Sequence, residues 1–433
     1  MVSPPRPLKA EASSFKPQAS SFGLRACVGL VVACSLGLAA GLDTLRLQPN
    51  ERVLIIAPHP DDEVLACGGL IQQALALGDS VWVVYVTAGD GSWPPAWRVT
   101  GNMFPGPEDY LKLGRARIEE ATAGTRVLGL DSTRLTFLDY PDAYIARLWQ
   151  LNWETPCRSS HTGATSDPYG RNGHEYTGYR LLNDLMALLK AVKPNCVFAP
   201  HPLDAHADHW STAVFLAIVR EAWREPVDGP FPVAYYYLVH HSSFPDACVD
   251  DSGFLSPPDD LTGAAHHWFT VRLKDNERRV KRSALKCHDS QLGFAGFSLY
   301  SYATRNELFD RPEETTGPVT EDVPQVGLLP AAIISSVQAN IVGESLALRV
   351  SLKAEPSSNF AYSFFARSVE SDADSTIHGG FALKLTSGPS VDSQGWSLRM
   401  PCNLSVHGVL LYSAEVRWGT VLLDHSGIGR VVY

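Results

Sequence analysis

Two short segments of the chain gather residue types that do chemistry. The first is Ala57-Pro58-His59-Pro60-Asp61-Asp62-Glu63, and the second is Pro200-His201-Pro202-Leu203-Asp204-Ala205-His206-Ala207-Asp208-His209. A catalytic zinc ion wants about three imidazole or carboxylate ligands and one position open to water. His59 and Asp62 stand three residues apart on a turn that enters a helix, so both side chains can face one ion. His209 can supply the third ligand. Asp61 is then left free as a general base, able to take the proton of a water already acidified toward pH ~7 as it attacks an amide carbonyl. The oxyanion formed in that attack needs a second donor, for which His206 is placed, with Asp208 expected to hold its ring and keep it protonated. A lone His-x-x-Asp also occurs in surface turns, where Asp61 and Asp62 would simply favour a helix N-terminus. Packing, however, has no use for three histidines and two aspartates within ten residues.

The elements around these segments explain how they could meet. The run 53–57 is short, β-branched and continuously apolar, as a strand buried on both faces should be. Further strands are expected over 80–86, 134–138 and 196–199, separated by helical stretches near 64–77, 111–128, 181–192 and 208–223. Strand and helix alternating in this way imply an α/β domain with a parallel sheet and helices on both faces. Each histidine-rich segment directly follows a strand, and loops at the carboxyl ends of parallel strands line the ligand crevice. Two long irregular stretches, 91–109 and 141–178, are rich in Gly, Pro and aromatic residues. They either wall a pocket or pin themselves to the body of the domain. After the linker-like 311–318, alternating apolar positions such as Leu346, Leu348, Val350 and Leu352 predict an all-β, sandwich-like domain over 328–433, with no catalytic cluster of its own.

Bulk properties narrow the function classes. A length of 433 residues, with 45% hydrophobic and 19% charged residues, describes a globular protein of two or three domains. A formal net charge of -10 argues against a nucleic-acid partner, and the basic cluster 277–282 reads as a solvated helix face. Eight cysteines without a Cys-x-x-Cys pair exclude a thiolate zinc site of the usual spacing. An apolar run over 26–40, preceded by Lys16 and Arg25, suits a signal peptide or a membrane or lipid anchor within 1–42, with Cys34 in a lipobox-like setting. Export or membrane association is therefore the expectation, with a cytoplasmic location as the alternative.

Both histidine-rich segments resemble the paired signatures of the PIG-L/LmbE-like N-acetylglucosaminyl deacetylases, which read roughly AHPDDE and HPxDxHxDH. Pro58 stands where that family usually has alanine. The resemblance extends through 87–91, Arg117 to Glu120, 137–142 and 286–291, and covers about 51–292, within a zinc-dependent deacetylase domain expected over 51–310. It implies a Rossmann-like fold holding one zinc ion through His59, Asp62 and His209, with Asp61 as general base and His206 stabilising the tetrahedral intermediate. Arg117 and Asp142 fall near sugar-binding positions of the family, although a structural ion pair accounts for Arg117 equally well. The implied activity is hydrolysis of a linear amide, the N-acetyl group of an N-acetylglucosamine-containing substrate. A hydrolase of another acyl group, and a non-catalytic glycan binder on the same fold, are the competing readings. No GxGxxG follows the first strand, so a dinucleotide-cofactor enzyme draws on fold alone.

Overall fold

The apolar run 53–57 does form a doubly buried strand. Val53 and Ile55 pack into the core on one face of the sheet, while Leu54 and Ile56 pack into the core on the other. The computed structural model describes residues 42–432 apart from 242–243, 246–252, 293–298, 313–329, 344, 371–380, 385–389, 393–394, 402–407, 419–420 and 427. The expected leader over 1–42 therefore lies outside the described residues up to residue 41, as does most of the linker at 311–318. Among the described residues, no helix is long and apolar enough to cross a membrane.

In chain order the first domain comprises β1 (Asp43–Thr44), β2 (Arg52–Ala57), α1 (Asp62–Ala76), β3 (Ser80–Thr87), α2 (Trp93–Thr100), α3 (Pro107–Val127), β4 (Leu135–Tyr140) and α4 (Ile145–Gln150). It continues with α5 (Gly178–Val192), β5 (Cys196–Pro200), α6 (Ala207–Glu221), α7 (Glu225–Asp228), β6 (Val233–Tyr237), β7 (Trp268–Arg272), α8 (Asp275–Leu285) and β8 (Asn306–Asp310). The sheet order is β1-β7-β8-β6-β5-β2-β3-β4. The strands expected from sequence all pair in parallel, whereas β8 runs antiparallel to both β6 and β7, so the sheet is mixed rather than wholly parallel. Winding proceeds from β2 to β3 and β4 on one side, then resumes on the other side with β5 and β6. The reversal falls between β2 and β5, and a crevice opens at such a switch point beyond the carboxyl ends of the strands. Each histidine-rich segment begins at one of those two ends.

The stretches read as irregular each carry a helix. Pro94 and Pro95 are the second and third residues of α2, within the first turn, where a missing N–H is no loss. Helix α4 starts after the aspartate-rich corner 139–142.

The second domain comprises β9 (Ile334–Val342), β10 (Ser345–Leu352), β11 (Ala361–Glu370), β12 (Phe381–Lys384), β13 (Ser390–Asp392), β14 (Gly395–Pro401), β15 (Gly408–Trp418), β16 (Val421–His425) and β17 (Gly429–Val432). Antiparallel pairing gives one sheet ordered β13-β14-β10-β9 and another ordered β12-β11-β15-β16, with β17 on β15. The alternating residues Leu346, Leu348 and Val350 share a core with Phe364, Leu410 and Ala414 of the other sheet, which is the expected sandwich. From Leu42 to the C-terminus the chain forms one compact unit.

Candidate metal centre

Three donor atoms from the two loops converge. His59 Nδ1 lies 3.2 Å from His209 Nε2. Asp62 Oδ2 lies 3.4 Å from the former and 3.3 Å from the latter. Donors bonded at ~2.0–2.2 Å to one tetrahedral ion stand roughly 3.3–3.5 Å apart, so these three atoms already hold the corners of such a site. The residues present fit a divalent cation.

The remaining ring nitrogens each stand against a carboxylate, as the outer nitrogens of metal-bound imidazoles commonly do. His59 Nε2 faces Asp142 Oδ1 at 3.2 Å and Asp208 Oδ2 at 3.3 Å. His209 Nδ1 faces Asp204 Oδ2 at 3.2 Å. A proton on each outer nitrogen leaves the inner lone pair for the ion. The electrostatics show how strongly the carboxylates attract positive charge to this place. Burial alone would pull His209 down, but Asp62 and Asp204 outweigh it and raise it to about 9. Burial likewise opposes protonation of His59, yet Asp142, Asp208 and Asp62 hold it well above its ordinary value. Asp62 is held well below the usual carboxylate range because both imidazoles overcome its desolvation. The buried carboxylates of Asp61, Asp62, Asp142, Asp204 and Asp208 thus surround two imidazoles, an environment that calls for added positive charge.

Asp208 departs from the sequence expectation. Its Oδ2 accepts from Ala143 N at 2.6 Å and its Oδ1 from Ile145 N at 3.0 Å, while the same Oδ2 faces His59. It therefore orients a candidate ligand and the start of α4, and not the His206 ring. His206 caps α6 instead, its Nδ1 accepting from Asp208 N at 3.2 Å. Nor is His206 kept protonated, because burial, followed by repulsion from His59 and His209, pushes it down to about 4. A neutral ring whose Nδ1 accepts carries its proton on Nε2.

Asp61 and Arg117 form an ion pair, Nη2 to Oδ2 at 3.0 Å. Arg117 Nη1 also donates to Gly89 O at 3.0 Å. Gly89 has φ +67, and a Cβ there would stand 2.3 Å from Arg117 Nη1, so the turn after β3 needs glycine on both counts. Arg117 is therefore ion-paired in the structure. Asp142, expected near sugar, accepts from Gly91 N at 2.6 Å through Oδ2 and holds His59 through Oδ1. Asp61, Asp142 and Arg117 nevertheless all border a cavity of about 420 Å³, together with His59, Asp62 and His206. That volume suits a small ligand.

Trp93 and Pro94 of α2 line the same cavity, so the first aromatic stretch does wall a pocket. Trp149 and Trp153 of the second stretch are buried in the core, pinning it to the body. Sequence reasoning gave no role to His240, whose ring packs edge-on against His209 at 4.7 Å and borders the cavity. Its signal was its place just beyond β6, a neighbour of β5 at the same sheet end. Asp204 was read only as part of a motif. Its Oδ2 also accepts from Val239 N and His240 N, both at 3.0 Å, which locks the second loop to the segment after β6.

Comparison with known proteins matches residues 54–221 to the family described as PIG-L, GlcNAc-PI de-N-acetylase. The chain is 26% identical over 291 residues to a 1D-myo-inositol 2-acetamido-2-deoxy-alpha-D-glucopyranoside deacetylase of Mycobacterium sp. (strain KMS), covering 61% of this chain and 82% of that one. To the enzyme of the same description from Rhodococcus erythropolis it is 24% identical over 300 residues, 63% of this chain and 94% of the other. Among solved structures, the N,N'-diacetylchitobiose deacetylase of Pyrococcus horikoshii is 22% identical with a TM-score of 0.35, over 56% of this chain and 71% of that one. The 4-carboxy-2-hydroxymuconate hydratase GalB of Pseudomonas putida is 20% identical with a TM-score of 0.38, over 60% and 84%.

Proposed function

We propose, for a chain whose residues 54–221 match the family described as PIG-L, a zinc-dependent hydrolase that removes the acetyl group from an N-acetylglucosamine-containing substrate. The observation that carries this reading is the convergence of His59 Nδ1, Asp62 Oδ2 and His209 Nε2 at 3.2–3.4 Å beside an aspartate, Asp61, that is not one of the three. The relatives described as deacetylases of a 2-acetamido sugar support the substrate class.

Zinc, when bound, would polarise the amide carbonyl and lower the pKa of a water toward ~7. His59, Asp62 and His209 would hold it. The residues of the chain do the rest. Asp61, fixed at the cavity wall by Arg117, accepts the proton of the attacking water and returns it to the departing amine. His206, neutral and protonated at Nε2, offers a hydrogen bond to the oxygen that gains charge as the tetrahedral intermediate forms. Asp142 and Asp208 fix the His59 ring, and Asp204 fixes His209. Trp93 borders the place where the sugar ring would enter.

Metal analysis of purified protein, combined with acetate release from N-acetylated sugars and glycoconjugates, tests the reading. Asp61→Ala is expected to keep zinc and lose acetate release, whereas His59→Ala loses both. Full activity in Asp61→Ala would refute the base assignment, and stoichiometric zinc in His59→Ala would refute the ligand set.

A further inference from the structure

The C-terminal sandwich lies outside the segment matched to the family, yet it reaches the second histidine loop from behind. His425, the last residue of β16, is buried, and its Nε2 lies 3.1 Å from the backbone carbonyl of Asp204. A carbonyl can only accept, so Nε2 carries the proton and donates. Burial, against which the Asp204 carbonyl works only weakly, pushes His425 down to about 4 and keeps the ring neutral. The same ring stacks on Trp210 at 5.0 Å and 21°. Trp210 follows His209 directly in α6, and the Asp204 carboxylate faces His209 Nδ1. Asp204 is thus gripped on its carbonyl by the sandwich while its carboxylate grips the candidate ligand.

Further contacts join the sandwich to the α/β part away from that grip. Arg367 Nη2 donates to Trp149 O at 2.6 Å, and the guanidinium carbon of Arg367 lies 3.8 Å over the Trp153 ring. Gln150 Nε2 donates to Glu415, and Arg430 pairs with Glu221 of α6 at 2.8 and 3.2 Å. Phe365, Val369 and Leu411 of the sandwich belong to the same apolar cluster as Trp149 and Trp210. The interface is continuous core, unlike the polar, loosely held contacts that join mobile domains.

We propose that His425 is a positioning residue for the metal centre, and that the C-terminal sandwich serves the site by fixing Asp204 and, through it, His209. This goes with the zinc reading above and deepens it. The sandwich then differs from a detachable module that recruits substrate. Partners one step behind a metal ligand, as Asp204 is, typically change metal affinity by 10–100-fold when lost, and His425, one step further back, is expected at the lower end of that range.

The test compares His425→Phe, which keeps an aromatic ring on Trp210 without the donor, with His425→Gln, which keeps an N–H donor. Arg430→Ala, at the same interface but on the far pair, controls for loosened docking. Zinc affinity by competition titration and the visible bands of the cobalt-loaded protein are read alongside kcat and KM for acetate release. His425→Phe is expected to bind zinc about tenfold more weakly, with altered cobalt bands and a lower kcat at little changed KM. His425→Gln should recover most of the affinity, and Arg430→Ala should match the wild type. Wild-type affinity and cobalt bands in His425→Phe would overturn the proposal, as would equal losses in His425→Phe and Arg430→Ala. Should His425→Phe not fold, nitrogen-15 histidine NMR of the wild-type chain reads the same coupling. The His425 Nε2–H resonance is expected to shift when zinc is added, and a resonance unmoved by zinc would overturn it. Metal binding that weakens in His425→Phe, in a protein that releases no acetate, would sink the deacetylase reading while supporting the positioning role.

Discussion

Replacing Asp208 by asparagine separates two accounts of this residue. If its carboxylate served the His206 ring, Asp208→Asn would lower turnover and leave metal affinity intact. The contacts say otherwise. Its two oxygens receive Ala143 N at 2.6 Å, Ile145 N at 3.0 Å and His59 Nε2 at 3.3 Å. An asparagine of the same shape presents one acceptor and one NH2 group to these three donors. At least one donor must face the NH2, at the ~1–3 kcal/mol that an unsatisfied buried group costs. If the oxygen stays at the Oδ2 position, which serves both Ala143 N and His59 Nε2, Ile145 N loses its acceptor and His59 faces a neutral amide oxygen in place of a carboxylate. His59 keeps Asp142 at 3.2 Å, so its orientation weakens without being lost. The expected result is zinc affinity reduced about tenfold, the lower end of the usual range, equivalent to ~1.4 kcal/mol. Thermal stability should fall by ~1–3 kcal/mol as the start of α4 loosens. Competition titration with a chromophoric chelator measures the first and thermal unfolding of the metal-free protein the second. Asp142→Asn with Asp208→Asn should cost more than the two single changes together, because each carboxylate covers for the other. Unchanged zinc affinity in Asp208→Asn, with turnover lost, would refute the orientation of His59 by Asp208 and restore the His206 account.

Other parts of the structure carry their own tests. Gly89→Ala forces a Cβ to within 2.3 Å of Arg117 Nη1 at φ +67, so it should displace Arg117 from Asp61. Turnover is then expected to fall at least about tenfold with zinc content unchanged, and wild-type kcat would contradict the fixing of Asp61 by Arg117. Lys281 and Glu307 form a buried pair at 2.6 Å, with Glu307 also accepting from Gly69 N and Leu70 N. Lys281→Met leaves that carboxylate uncompensated and should cost ~3–5 kcal/mol in urea unfolding; a loss under ~1 kcal/mol would be inconsistent with the pairing. Asp90 is buried, and desolvation together with Asp142 raises its carboxyl to about 7, against the bond from Tyr169. A carboxyl raised in the folded state favours folding below its unfolded value near 4, and that advantage is lost as pH rises through about 7. Metal-free Asp90→Asn should therefore gain stability on the wild type between pH 4 and 7, by as much as ~4 kcal/mol, and parallel stability curves would exclude it.

The parts of this molecule that are legible in its sequence are those encoded locally. A doubly buried strand announces itself in Val53 to Ala57, and a candidate metal turn in the spacing of His59 and Asp62, because each needs only neighbours in the chain. The meeting of the two loops is also legible, since parallel strands send their carboxyl ends to one edge of the sheet. The antiparallel β8 is not, because no turn residue states the direction of a strand entering between β6 and β7. Helix α2 escapes notice for a similar reason. Pro94 and Pro95 read as loop, yet within the first helical turn they are compatible with a helix.

The partners of the candidate ligands are harder to read, and the reason is physical. Asp142, Asp204 and Asp208 act by facing particular ring nitrogens, and such a relation between segments leaves no spacing to recognise. Asp208 shows how motif proximity misleads: two residues from His206, it caps nothing there and reaches across to the His59 loop. Its neighbour in the chain uses the Asp208 backbone instead of its side chain. Metal affinity depends on how tightly the ligands are held as well as on which ligands are present. The buried carboxylates around the candidate ligands, and His425 behind one of them, are thus residues whose partners tertiary packing alone determines.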